Sequence, residues 1–294
     1  VAIETIGLRT SLWNNNLKSI ILLTLLPMVL GGLIGTVMFL FTDNLDDALY
    51  GTIFGLFLVA VWFLIAYLFQ ERLTMSMAHA HEIDRKTYPE LYNLVENLSI
   101  TAGIKMPKLY MMDSEALNAF ASGLQVNKSV ICVTHGLVEK LNKKELEAVL
   151  AHEMSHIIHR DMRLLTIATL FVGIIAVITQ MALRSMRFSG SSGKKNNPAI
   201  IFVLLAAVIG YFIAILSKFA ISRRREFMAD AGSVVLTKDN NAMIAALKKI
   251  SGNSDIADAP SDLRFMLFDN SEAYLGLLDT HPSIEKRIAA LEKY

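Results

Sequence analysis

Residues 147–162 read EAVLAHEMSHIIHRDM, and the way these side chains fall around a helix decides what kind of protein this is. Leu146, Val149, Leu150, Met154 and Ile157 recur at the helical period, which predicts one helix over residues 143–160. Positions i and i+4 share a helix face with their Cβ atoms roughly 5–6 Å apart. His152 and His156 can therefore both reach one ion, since zinc–nitrogen bonds are about 2 Å long. Glu153 projects about 100° further round, beside such an ion and not on it, where a general base for an attacking water belongs. The competing reading is an ordinary polar helix surface.

The flanking residues narrow the class. A metzincin carries a glycine three residues after the second histidine and a third histidine three further on; here those positions are His159 and Met162. A third ligand must come from elsewhere, because hydrolytic zinc sites use three protein ligands and leave one position for water or substrate. The best candidate is Glu226 in RRREFMADAGS, although an exposed acid neutralising the neighbouring arginines is an equal reading from spacing alone. Asp230 follows one turn later on the same face, placed to orient a ligating histidine. The donor set points to zinc, with cobalt or manganese chemically admissible.

Composition says that such a helix belongs to a membrane protein. Of the 294 residues, 53% are hydrophobic and 19% charged, less charge than a soluble domain carries. The net charge of +1 gives no basis for a nucleic-acid partner. Ile20–Phe41, Ala48–Phe69, Leu164–Leu183 and Pro198–Ser217 hold no charged side chain and have the length of a bilayer crossing. The first is too long for a signal-peptide core and is expected to be retained. Arg9 and Lys18 precede it, whereas the turn after it, TDNLDDALY at residues 42–50, has three aspartates and no lysine or arginine, which puts that turn outside. Arg160, Arg163, Lys218 and Arg223–Arg225 then fall on the cytoplasmic side. The loop at residues 184–198 holds four basic residues on the outer side of this threading. Either the hairpin inserts as a unit, or segments three and four do not fully span.

The organisation expected is two membrane helices in residues 1–70, a first polar block at 71–163, a membrane hairpin at 164–217 and a second polar block at 218–294. The two blocks together make one mostly helical domain with a small sheet. PKLYMMD reads as a short strand, and the run from Asn118 to Leu141 as a hairpin before a helix. Further helices are expected at residues 89–104, 222–236, 241–250 and 283–293. His156 lies about 12 Å of helix before Leu164 and Glu226 a similar distance beyond Ser217. The hairpin thus returns both ligand helices to the same membrane surface. The charges around the motif argue against a site within the bilayer.

The remaining histidines read otherwise: His79 and His81 as juxtamembrane surface, His135 as turn chemistry, His159 as surface or support for the pair. His281, just before Pro282 at a helix start, lies about two turns from Arg287. Cys132, in the apolar run SVICV, is a small buried hydrophobe.

Four motifs in this order, NAFASG, AVLAHEMSHIIHRDM, SRRREFMADAGS and THPSIEKR, set among four hydrophobic segments, resemble the HtpX-type membrane zinc metalloproteases, gluzincins related to the CAAX prenyl proteases. The resemblance implies four transmembrane helices with a cytosolic α+β protease domain. It also implies one zinc ion on His152, His156 and Glu226, with Glu153 as catalytic base and Asp230 behind the ligands. By the same resemblance Asn118 belongs to the strand along which substrate lies, His281 donates to the oxyanion, and Arg287 is structural. The implied role is stress-linked quality control at a bacterial inner membrane, cutting misfolded or damaged membrane proteins on the cytoplasmic side. A prenyl-protein protease and a non-catalytic zinc-binding membrane anchor are the rivals; Glu153 speaks against the anchor, since a structural site needs no base. A transporter is disfavoured by the lack of intramembrane charge.

Overall fold

The computed structural model describes residues 17, 24, 28, 44–163, 166–167, 223–256, 267–268 and 282–293. The expected membrane segments at 20–41, 164–183 and 198–217 lie almost wholly outside these residues, as does His281.

Helix α1, Leu45–Met77, starts where the Asn44 side chain accepts from the Asp46 N–H, with Asp46 and Asp47 in its first turn. Its window Leu45–Trp62 has a mean hydropathy of 1.5 and only 6% of it is buried, so it is no core helix of a soluble domain. It is the single helix long and apolar enough to cross a membrane among the described residues. The helix does not stop at Phe69 but runs on to Met77, where it packs into the domain.

A four-stranded mixed sheet follows: β1 Ala80–Glu82, β2 Lys108–Met112, β3 Ala119–Ser122 and β4 Val130–Thr134, in the order β1-β2-β4-β3. β2 and β4 are parallel; the outer strands pair antiparallel. Between β3 and β4 the chain turns through a 3-10 segment, Val126–Lys128. Helix α2, Pro89–Ala102, has proline at its first turn, where a missing N–H costs nothing, and ends on Gly103 at φ 66. Helix α3 is His135–Lys140 and α4 is Lys143–His159; beyond them come α5 Arg223–Thr237, α6 Asn240–Ile250 and α7 Ile284–Leu291.

Alternation along the strands makes two cores. Leu109, Met111, Ile131 and Val133 face α2, α4 and α6 through Leu94, Val95, Val149, Met154 and Leu247. Tyr110, Met112, Val130 and Cys132 face the other way, onto Met75 and Ala78 at the end of α1 and onto Ile256 and Leu267. Both faces are covered, which is why these strands read as unbroken apolar runs. The described residues are thus mostly helical with a small sheet, and β1 is the element the sequence did not announce.

Candidate active site

Helix α4 is fixed at both ends. Asn142 accepts from the Lys144 and Glu145 N–H groups while Glu145 accepts from the Asn142 N–H, a reciprocal capping box. At the other end Arg160 takes a left-handed conformation, φ 60, and its N–H reaches the carbonyls of His156 and Ile157. Helix α5 crosses α4 closely, because a Cβ on Gly232 would lie 2.2 Å from Ser155 Oγ. Ser233 Oγ locks the crossing by donating to the Ala148 carbonyl at 2.6 Å. The approach brings the first turn of α5 over the histidine face of α4.

His152 Nε2 and His156 Nε2 are 3.1 Å apart, and each lies 3.6 Å from a carboxylate oxygen of Glu226. Behind each imidazole stands a carboxylate, and behind each carboxylate a guanidinium. His152 Nδ1 is 2.9 Å from Asp230 Oδ1, and Arg287 donates twice to Asp230, at 2.9 and 2.7 Å. His156 Nδ1 is 3.3 Å from Asp161 Oδ2, and Arg225 Nη1 lies 3.4 Å from Asp161 Oδ1. Arg287 is fully buried, bonded to the Phe268 carbonyl at 3.2 Å with its guanidinium 4.5 Å from that ring. The same ring stands edge-on to His152, centroids 4.8 Å apart.

With each Nδ1 set against an aspartate, both Nε2 atoms turn toward the Glu226 carboxylate, a pocket that favours a cation, whether a proton on His156 or an ion that takes a lone pair from each Nε2. Bonds of about 2.05 Å in a tetrahedron would separate ligand atoms by about 3.3 Å, close to the spacings found. The residues fit a metal ion. Burial alone would push the His156 imidazole down, but the carboxylates of Glu226 and Asp161 outweigh it and hold it at about 9. Glu226 and Asp161 thus favour positive charge at the Nε2 face. Asp230 and Asp161 are held below the usual carboxylate range, against their burial, chiefly by Arg287 and by His156 with Arg225 respectively.

Glu153 is buried beside this trio, and burial pushes its carboxyl above the usual carboxylate range against the pull of the two histidines. It accepts from the Ala121 N–H. Ala119 and Ala121 turn their backbone groups away from β4: the Ala119 carbonyl accepts from Phe268 N at 2.8 Å, and its N–H goes to Asn118 Oδ1 at 3.0 Å. Asn118, fully buried, donates through Nδ2 to the Ser254 carbonyl at 2.9 Å, so it fixes the start of β3.

Of the sequence candidates, His152, Glu153, His156, Glu226, Asp230 and Arg287 meet here, while Asn118 stands at the head of the adjoining strand. Asp161, Arg225 and Phe268 were not anticipated as parts of the site. The signal available for Asp161 was its place five residues after His156, just past the helix end. His159 donates to its own helix, Nδ1 lying 2.7 Å from the Ser155 carbonyl. His135 lies between Glu115 and Glu139 on the surface.

The model of peptidase family M48 matches residues 85–294. A protease HtpX homolog of Bacteroides fragilis is 41% identical over 321 aligned positions, covering 99% of this chain and all of that one. One from Listeria innocua is 36% identical over 270 positions, 84% of this chain and 88% of the other. The crystal structure of S. mikatae Ste24p aligns with a TM-score of 0.46 at 20% identity, over 96% of this chain and 66% of that one. The extent of the family match and the full-length likeness to HtpX homologs are decisive: the chain belongs to peptidase family M48 and is a membrane metalloprotease of the HtpX type.

Proposed function

We propose that the chain is a zinc-dependent endopeptidase with one zinc ion per molecule, held by His152, His156 and Glu226. The observation that carries this reading is the convergence of those three side chains, at the spacing of a tetrahedral ligand set, beside the buried Glu153. Bound there, zinc supplies a Lewis acid that polarises the scissile carbonyl and makes water acidic near neutral pH. Glu153 takes the proton of the attacking water and delivers it to the leaving amine; a carboxyl raised above its ordinary range suits both steps. Asp230 and Asp161 keep both imidazoles in the tautomer that offers Nε2. Substrate joins the outer edge of β3 as an added strand, exchanging for Phe268 N–H at Ala119 and for Glu153 at Ala121. His281, by resemblance, donates to the oxyanion.

In this reading residues 71–163 and 218–294 form one protease domain on the cytoplasmic face of a bacterial inner membrane. Two membrane helices in residues 1–70 and a hairpin at 164–217 hold it there. The substrates are misfolded or damaged membrane proteins. The apolar exterior of α1 and the HtpX names of the relatives support the membrane setting.

The test is cleavage of an unfolded reporter in detergent by zinc-loaded chain beside Glu153→Gln. The variant is expected to bind one zinc yet turn over about 10²–10⁴-fold more slowly, and a chelator to abolish wild-type cutting. Equal cleavage by both would overturn the assignment of the base.

A further inference from the structure

The outer edge of β3 is served by the chain itself. Asn118 gives its carbonyl to the Thr134 N–H at 3.0 Å, so Asn118, Phe120 and Ser122 turn their backbone groups toward β4. Ala119, Ala121 and Gly123 turn theirs away, and four of those outward groups have partners. Asn118 Oδ1 accepts from the Ala119 N–H at 3.0 Å, Glu153 from the Ala121 N–H, and Thr166 Oγ1 from the Gly123 N–H at 3.1 Å. These three partners are side chains, which a change of rotamer takes aside. The fourth is main chain: the Phe268 N–H donates to the Ala119 carbonyl at 2.8 Å.

Phe268 cannot leave that carbonyl without moving its backbone, and the rest of the residue is engaged at the metal centre. Its carbonyl accepts from Arg287 Nη1 at 3.2 Å, and its ring lies 4.5 Å from the Arg287 guanidinium. The same ring meets His152 edge-on at 4.8 Å. Phe268 is 2% exposed, and Leu267 beside it is buried with Phe120 and Cys132. Arg287 holds Asp230, and Asp230 faces His152. One residue thus touches both the seat of an added strand and the contacts that orient His152.

The magnitudes decide what can displace it. A single substrate N–H replaces one hydrogen bond at Ala119 and returns none of the ring or carbonyl contacts. One such exchange is worth little net, so a short exposed loop gains nothing by it. An extended segment pairs at Ala121 and Gly123 as well, and its main-chain bonds add.

We propose that Phe268 is a specificity-determining residue that sets this threshold. It holds β3 against short or folded segments, yields to extended unfolded chain, and positions His152 while it stays. This rests on substrate joining β3 as an added strand. Because one residue serves both ends, strand addition and the hold on His152 oppose each other, and the opposition is mutual.

The experiment uses the full chain in detergent, with Glu153→Gln to keep the unfolded reporter uncut and zinc at saturation. Amide exchange is followed by mass spectrometry at Phe268 and across residues 119–123, and reporter affinity by fluorescence anisotropy. Reporter is expected to slow exchange across 119–123 and to speed it at Phe268. Phe268→Leu keeps the N–H and much of the bulk but loses the ring. Zinc, measured by chelator competition, should then bind about two- to tenfold more weakly, while reporter binds more tightly by a similar factor. A merely structural residue would weaken both, and that result would overturn the proposal. Slowed exchange at 119–123 with Phe268 unchanged would also overturn it and leave strand addition intact. Bound reporter with neither region changed would overturn strand addition itself, and the proposal with it. The exchange measurement keeps Phe268 in place, so it decides between these outcomes whether or not Phe268→Leu folds.

Discussion

Arg287 holds Asp230 by two hydrogen bonds, Nε to Oδ2 at 2.9 Å and Nη2 to Oδ1 at 2.7 Å, both residues fully out of solvent. Asp230 in turn faces His152, so a residue of α7 sets the orientation of a side chain on α4 without touching the ion's position.

Removing one member of a buried ion pair leaves the other charge uncompensated, which typically costs 3–5 kcal/mol. Arg287→Ala is expected to lower thermal stability by that order. Arg287→Lys keeps the charge but not the fork, and should retain the fold with zinc affinity about 10–100-fold weaker. Asp161→Asn should weaken zinc by a similar factor through His156. Competition with a chromophoric chelator, read beside melting curves, separates the two effects.

Proton and metal compete at His156. Its imidazole stands at about 9 in the metal-free fold against about 6.5 when unfolded. The raised value stabilises the metal-free chain by up to about 3 kcal/mol below pH 6.5, and this is lost as pH rises through 9. The stripped protein should therefore melt higher at pH 6 than at pH 9.5 as far as this group decides it. Zinc binding at pH 7 should release a proton, which calorimetry in two buffers of different ionisation enthalpy will count.

The α4–α5 crossing tolerates no side chain at position 232. Gly232→Ala places a methyl 2.2 Å from Ser155 Oγ, and such overpacking costs roughly 1–3 kcal/mol. Since the crossing carries Glu226 to the histidines, zinc affinity should fall with stability; Ser155→Ala alongside should restore part of both. Unchanged zinc affinity in Gly232→Ala would show that Glu226 is placed by something other than this contact.

Much of this site was legible because its parts are local. Two histidines and a glutamate on one helix are fixed by helical period alone, and Glu226 with Asp230 repeats the device on a second helix. The helix bounds were legible for the same reason: Asn142 and Pro89 are start signals that need no tertiary context. Asp161 was not legible as a partner of His156, because the chain reverses on a left-handed arginine and not on the glycine that would have announced it. Arg225 read as a membrane-flanking charge, since nothing in its own segment says that Asp161 will lie opposite. Phe268 and β1 depend wholly on distant pairing: Phe268 on the Ala119 carbonyl and Arg287, β1 on the edge of β2.

His156 and Glu226 are separated by about 70 residues of chain, yet their donor atoms lie 3.6 Å apart. Closing a flexible loop of that length carries an entropy penalty on the order of 4 kcal/mol. Membrane insertion of the intervening residues would meet that penalty before any ion arrives. With the hairpin proposed for residues 164–217, ion affinity and bilayer assembly would be thermodynamically linked, and the linkage would be reciprocal. A chain whose intervening segment is unseated would then hold the ion less tightly, and a chain that holds the ion would resist being unseated.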